Sequence, residues 1–306
     1  MMAQQPLRTC EELGVLGAWS TWRDARRFAE EALGSGPEAR WCLQAASGMT
    51  PAELVLAGSA RPSAEAWSVL VGLVEGRRRG VPLQHLLGHW SFRGLDLLVD
   101  SRALVPRPET EVVVAVALEE LRRSRTCGRA PVVVDLGTGS GCIALSIATE
   151  TNATLWATDR SSSALDLARA NRDRLGPDVA RRVTLRAGSW FEPLPPGLAG
   201  KVDLVVSNPP YVAEAEWSDL PDEVRLWDPK AALVAGPLGT EAALEILDQA
   251  RRWVVAGGAV VLEIGERQVG VLVRHALGLG WGRLAVHGDL AGRARVLVAG
   301  DWRGTA

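Results

Sequence analysis

From Glu109 onward the chain alternates short apolar runs with helical segments, and that alternation narrows the fold more than any other feature. The runs fall at 132–134, 154–157, 183–186, 202–207 and 259–264, with a last pair around 284–287 and 295–299. A helix over 110–123 leads in, and another opens at Cys142 and ends near Thr149. Strands this short and apolar, separated by helices, are covered on both faces, which predicts a mostly parallel sheet in an α/β fold. Ligands of such sheets lie beyond the carboxyl ends of the strands, so the loops after strands are where chemistry is expected.

The first of those loops is Asp135-Leu136-Gly137-Thr138-Gly139-Ser140-Gly141, between a strand and a helix. Glycines allow the backbone to approach a ligand closely, and the helix start offers unpaired N–H groups. A dinucleotide site would carry G-x-G-x-x-G and seat a pyrophosphate on the helix start. Here the spacing is G-x-G-x-G, and the acid at Asp135 would repel a pyrophosphate but can hold an ammonium group, directly or through water. Asp159, at the end of the next strand, can accept hydrogen bonds from both hydroxyls of a ribose. An adenosine with an amino-acid tail fits better than a dinucleotide, although an ordinary tight turn would use the same glycines.

The apolar strand 202–207 delivers Asn208-Pro209-Pro210-Tyr211 to the same edge. Asn-Pro also initiates turns, but after this strand and downstream of the glycine loop the motif suits methyl transfer to a planar nitrogen. The lone pair of an amide or aromatic amine is delocalised and weakly nucleophilic. Hydrogen bonds from its NH₂ to the Asn208 side-chain oxygen and the Pro209 carbonyl would turn the lone pair toward an incoming methyl and favour the pyramidal transition state. Pro209 and Pro210 stiffen the backbone and offer no N–H to compete. Tyr211 can stack on the flat acceptor. The motif alone leaves adenine, cytosine and glutamine open as acceptors.

The first 80 residues read as a small helical bundle. Thr50-Pro51-Ala52-Glu53 is a helix start with a capping box, Ser63 caps a helix through Trp67, Leu70, Leu73 and Val74, and an earlier helix around Trp22, Phe28 and Ala29 ends at Gly34. Residues 81–108, broken by Pro82, Pro106 and Pro108 and turning around Gly94, form a hairpin-like linker. The expected division is therefore 1–80, 81–108 and 109–306. A net charge of −2 argues against a surface built to hold nucleic-acid phosphates. Cys10, Cys42, Cys127 and Cys142 are scattered without metal-ligand spacing, so neither a disulfide framework nor a metal site is expected. The start of the chain lacks the apolar stretch of a secretory signal, and no run is long enough to span a bilayer, so a cytoplasmic setting is expected.

With these residues in place, the chain resembles the glutamine-N5 methyltransferases that modify peptide chain release factors. The likeness runs from about Pro82 to Val298: Pro82-Leu83-Gln84-His85 with Gly88, Leu104 to Glu111 (LVPRPETE), the glycine loop, Asp159, Ala168 to Asn171, Asn208 to Tyr211, Asp228-Pro229, Glu263-Ile264-Gly265, and Asp289-Leu290 with Arg295. The RPETE lead-in sets it apart from DNA amino-methyltransferases, which share NPPY-type motifs. The resemblance implies a Rossmann-like class I methyltransferase domain, its mostly parallel sheet carrying an antiparallel edge strand, behind a helical bundle that docks the partner. It implies S-adenosyl-L-methionine as cofactor and no metal. Asp135, Gly137, Thr138, Gly139, Ser140 and Gly141 would line the cofactor together with Asn208, Asp159 would take its ribose, and Trp190 would pack near its adenine. Asn208, Pro209, Pro210 and Tyr211 would hold the glutamine of a Gly-Gly-Gln loop in a class I release factor, with no direct nucleic-acid binding. Arg107 and Glu111 would border the site. Asp228 departs from the family, which usually has glutamate before this proline.

Overall fold

In the computed structural model, residues 21–124 and 128–303 are described; Cys10, Cys127 and the opening segment read above for a leader lie outside them. The chain divides into two compact units between Leu87 and Gly88. That boundary falls inside the stretch 81–108 rather than at either of its ends.

The first unit holds α1 (Trp22–Leu33), α2 (Gly36–Ser47), α3 (Pro51–Leu56), α4 (Ala64–Arg78) and α5 (Leu83–Leu87). Its helices start where short polar side chains can accept from the orphan N–H groups of a first turn. Thr21 accepts from Asp24 N, Ser35 from Glu38 N and Ser63 from Ala66 N, while Thr50 and Glu53 form the capping box. Gly34 and Gly48 end α1 and α2 in left-handed backbone. The buried faces bring Trp22, Phe28, Cys42, Leu43, Leu70 and Val74 into one core. Arg77 of α4 grips Glu38 of α2 through two hydrogen bonds of 2.8 and 3.0 Å. Helix α2 is an addition to the sequence reading, although Ser35, Pro37 and Gly48 mark both its ends.

The second unit opens with a hairpin, β1 (His89–Phe92) and β2 (Leu95–Leu98), paired antiparallel around Arg93 and Gly94. Both turn residues have positive φ, 46° and 77°, as tight two-residue hairpin turns require. Helix α6 (Pro108–Arg123) follows, then β3 (Val132–Leu136), α7 (Cys142–Glu150), β4 (Thr154–Asp159), α8 (Ser162–Arg174), the short α9 (Pro177–Ala180) and β5 (Val183–Ala187). After β6 (Val202–Ser207) come β7 (Val212–Ala213), α10 (Asp222–Trp227), α11 (Lys230–Leu233), β8 (Val234–Gly236) and α12 (Glu241–Trp253). The chain closes with β9 (Val254–Glu263), α13 (Val269–Gly278), β10 (Trp281–Gly288) and β11 (Ala294–Trp302).

Seven strands form one sheet in the order β10-β11-β9-β6-β3-β4-β5. Pairs from β9 to β5 are parallel, and β11 runs antiparallel to both β9 and β10. This is the class I methyltransferase fold: a mostly parallel sheet with antiparallel pairing at one edge, where β11 is inserted between β9 and β10. Successive side chains of a strand point to opposite faces, and each face here has its own core. Val133, Leu155 and Val206 pack with Val113, Val114 and Ile147 on one side, while Val134, Val205 and Val260 pack with Ile246, Leu247 and Leu272 on the other. A buried acid fixes the register at the sheet's centre: Asp203 in β6 accepts Val132 N at 2.7 Å and both Arg129 nitrogens at 2.7 Å.

The chain moves outward from β3 in both directions, to β4 on one side and β6 on the other. Such a switch point opens a crevice at the strands' carboxyl ends. The glycine loop, Asp159 and the NPPY motif follow or end the three strands that flank it. Among the described residues no helix is long and apolar enough to cross a membrane. Cys42 and Cys142 are buried free thiols whose burial pushes them up to about 11 and about 12.

Candidate active site

Three strand ends supply the walls. After β3 the chain passes Gly137, Gly139 and Gly141 at φ of 67°, 56° and 85°, backbone that residues with a Cβ adopt only at a cost. Thr138 N donates to Thr158 O at 2.9 Å, which anchors this loop to β4. Asp135 lies beneath it, wholly buried, with Oδ2 accepting from Thr138 Oγ1 at 2.6 Å and Ala144 N at 3.2 Å. Its Oδ1 has no hydrogen-bond partner, and burial raises the carboxyl to about 7 against the two bonds that lower it. An unpaired buried carboxylate oxygen costs free energy unless a cation or donor comes near.

Asp159 is held by Gly139 N at 2.9 Å and Ser161 N at 2.8 Å, one to each oxygen. Each oxygen keeps a lone pair for a further donor. Trp190 sits in left-handed backbone at φ 42°, a conformation that a bulky residue adopts only when its surroundings hold it there. Two bonds do so: its carbonyl accepts from Thr158 Oγ1 at 2.8 Å, and its indole N–H donates to Glu245 at 3.0 Å. The ring edge lies against Gly137, where an added Cβ would meet Trp190 Cζ3 at 3.6 Å.

At the end of β6, Ser207 Oγ donates to Leu136 O at 2.6 Å and ties the two central strand ends together. Asn208 follows, its Nδ2 donating to Thr110 Oγ1 at 3.2 Å, and Thr110 in turn donates to Glu263 Oε2 at 2.7 Å. The end of the motif is fastened at the backbone: Tyr211 N donates to Leu233 O at 3.1 Å, and Gln268 Nε2 donates to Tyr211 O at 2.7 Å and Gly239 O at 2.9 Å. Burial pushes the Glu263 carboxyl up to about 7 and the Tyr211 phenol up to about 12, so the phenol keeps its proton.

A cavity of about 380 Å³ lies among these walls, within the usual range for small-molecule sites. Gly137, Thr138, Gly139 and Ser140 line it with Asp159 and Trp190, and Asn208 and Pro210 reach it from the other side. Of the residues expected from the sequence, Asp135, Gly141, Pro209 and Tyr211 are not on its surface. Burial, and secondarily the nearby Glu263 carboxylate, hold the Tyr211 phenol in its protonated form. Arg107 lines the cavity and binds the buried Asp228 at 2.6 Å, so the departing aspartate keeps an ion pair with the RPETE segment. Glu111 points elsewhere, accepting from Arg93 N at 3.0 Å at the hairpin turn.

Two polar groups of the site, Thr110 and Glu263, lie in segments that carry the family resemblance but had no role of their own in the sequence. Thr110 looks like an ordinary first-turn helix residue, and Glu263 like the last residue of an apolar strand. A carboxylate closing a run as apolar as 259–262 was the available signal.

The cavity's chemistry can be tested against S-adenosylmethionine. Bare glycine backbone allows close approach, the unpaired Asp135 Oδ1 beneath the loop favours a nearby ammonium, and Asp159 retains acceptors for a diol. A flat indole stands over the glycines, and the loop itself carries no basic side chain for a pyrophosphate. The residues present fit the sulfonium cofactor.

Two family models match, a methyltransferase small domain over residues 114–222 and a PrmC N-terminal domain over residues 21–88. A release factor glutamine methyltransferase of Deinococcus radiodurans is 39% identical over 263 residues, 86% of this chain and 90% of that protein. One of Cereibacter sphaeroides is 35% identical over 301 residues, 98% of each chain. One of Gloeobacter violaceus is 41% identical over 234 residues, 74% of this chain and 78% of that protein. Among solved structures, the hMettl16 catalytic domain in complex with a 3′UTR hairpin superposes with a TM-score of 0.50 at 14% identity, covering 70% of this chain and 77% of that one. At that identity the likeness is one of fold.

Proposed function

Because the chain belongs to the release factor glutamine methyltransferase family, we propose that it moves the methyl group of S-adenosylmethionine to N5 of the glutamine in the Gly-Gly-Gln motif of class I release factors. The observation that carries the reading is the setting of Asn208. Its NH₂ is engaged by Thr110 at 3.2 Å, which leaves the amide oxygen to accept from a substrate donor on a residue that lines the cavity.

S-Adenosylmethionine, when bound, supplies an electrophilic methyl and a neutral thioether leaving group. The chain's task is then to place and orient. Asn208 Oδ1 and the Pro209 carbonyl would accept from the substrate NH₂, so that the nitrogen lone pair points at the methyl carbon and pyramidalises as the N–C bond forms, and the surplus N–H proton is lost to solvent after the transfer. Those bonds strengthen as positive charge develops on nitrogen, so they favour the transition state over the ground state. Pro209 and Pro210 bring no N–H that could divert the acceptor. Asp159 receives the ribose hydroxyls, Trp190 packs by the adenine, and Asp135 favours the ammonium of the methionine part. Tyr211, held through its backbone, keeps the end of the motif in place, and Pro210 presents the apolar surface to the acceptor. The helical first unit serves to dock the release factor.

Co-expression with a class I release factor tests this. Peptide mass spectrometry should find one added methyl, located on the Gly-Gly-Gln glutamine. A release factor that stays unmodified beside folded, cofactor-binding enzyme would overturn the assignment.

A further inference from the structure

Asn208 has a defined rotational setting, and its cause lies outside the NPPY motif. A side-chain amide can be flipped end for end with almost no change in shape, and only its hydrogen bonds decide which end faces the substrate. The NH₂ end of Asn208 meets Thr110 Oγ1, itself on the cavity wall, at 3.2 Å, and Thr110 donates to Glu263 Oε2 at 2.7 Å. Thr110 and Glu263 are 2% and 1% exposed, so water does not substitute for either partner.

We propose that Thr110 and Glu263 are positioning residues that set the polarity of the Asn208 amide, so that its oxygen, and not its NH₂, is presented to the substrate glutamine. This rests on the methyltransferase reading above and deepens it. A threonine hydroxyl has one hydrogen and two lone pairs. An ionised carboxylate only accepts, so the Thr110 hydrogen is committed to Glu263. What Thr110 offers Asn208 is therefore a lone pair, and only the NH₂ end of the amide can use it. The amide oxygen is left for the acceptor, whose NH₂ needs it.

The relay depends on the charge of Glu263. A protonated Glu263 can donate to Thr110, which frees the Thr110 hydrogen for Asn208 Oδ1. The flipped amide is then equally satisfied and confronts the substrate NH₂ with its own. The groups facing Glu263 are Thr110 and Glu109 from α6, Tyr211 beyond β6, Arg295 from β11 and Cys142 at the start of α7. Arg295 favours the carboxylate and Glu109 opposes it, while Tyr211 and Cys142, pushed up to about 12, are neutral across the working range. With the carboxyl raised to about 7 by burial, transfer should fail on the acid side of that value.

The test is single-turnover methylation of a purified release factor from pH 5.5 to 8.5, with S-adenosylmethionine saturating at every pH so that titration of Asp135 does not enter the rate, and with S-adenosylhomocysteine affinity measured alongside. Thr110→Val keeps the shape and removes the relay. Its transfer rate should fall by roughly 10- to 100-fold, the range for losing a group that orients a functional side chain, with cofactor affinity unchanged. Its remaining activity should lose the acid limb near pH 7 that the wild type shows. Thr110→Ser restores the hydroxyl and should recover most of the rate and the limb. Glu263→Gln cannot titrate and should also lack the limb. A folded Thr110→Val enzyme with the wild-type rate, a Thr110→Ser enzyme as impaired as the valine variant, or an unchanged acid limb in Glu263→Gln would each overturn the proposal while the wild type still methylates. A wild type that methylates nothing would overturn the underlying reading and the relay with it.

Discussion

At the scale of single residues, the site separates holding the cofactor from activating the acceptor. On the proposed reading Asn208 serves chiefly the second task, since its side chain bonds to Thr110 rather than to the glycine loop. Asn208→Ala should therefore leave S-adenosylhomocysteine affinity close to wild type and lower the transfer rate by about 10²- to 10³-fold, the scale for removing one oriented polar group at a reacting centre. Calorimetry and single-turnover methylation read the two quantities separately, and a loss confined to affinity would contradict the role. On the same reading Asp135 serves the first task. Its carboxyl, raised to about 7 by burial, is about half protonated near neutrality. An ammonium nearby favours the ionised form, so cofactor binding lowers this pKa and releases a proton. Affinity should weaken as pH falls below about 7, because protons then compete with the ligand. Calorimetry in buffers of different ionisation enthalpy should record that release, and Asp135→Asn should abolish it.

At the scale of elements, the NPPY segment keeps its place through backbone contacts with the turn after β8. Gly239 has φ +78°, and a Cβ there would stand 2.6 Å from Tyr211 O and 3.0 Å from Ala213 N. Both neighbours are main chain and cannot swing aside. Gly239→Ala should destabilise the protein by about 1–3 kcal/mol through backbone strain alone, and displace the end of the motif as well. Thermal unfolding should show a lower midpoint, with transfer reduced more than cofactor affinity. Gly197→Ala is the control, since nothing lies within 4 Å of a Cβ there, and it should match the wild type in both measurements.

For the whole molecule, the proposed reading gives the two compact units different tasks. Every residue lining the cavity lies between Arg102 and Glu245, within the second unit. A chain beginning at Gly88 should therefore bind S-adenosylhomocysteine with the affinity of the full protein. If the helical unit docks the release factor, the shortened chain should show a raised KM for that partner with a smaller change in kcat. Equal KM values for both chains would remove the docking role.

Much of this was legible in the sequence because it is written in neighbouring residues. Strand-helix alternation gives a mostly parallel sheet, three spaced glycines give a loop with left-handed backbone, and Thr50 with Glu53 gives a helix start. In each case the interacting atoms lie a few positions apart. The glycine loop, Asp159 and the NPPY motif could be placed at one edge because each follows or ends a strand. Strands β7 and β8, of two and three residues, are too short for any period to show, and α2 went unread although its caps were present. Tyr211 is expected to stack on the acceptor, and the cavity wall itself is formed by Pro210 beside it. Thr110 meets Asn208 across 98 positions and Glu263 across 153. No local pattern encodes such a meeting. Local chemistry in the sequence determined which groups could hold a sulfonium cofactor and a planar amide. The order of the strands, which sets β6 between β3 and β9 and lays α6 against them, decided which buried partners orient those groups.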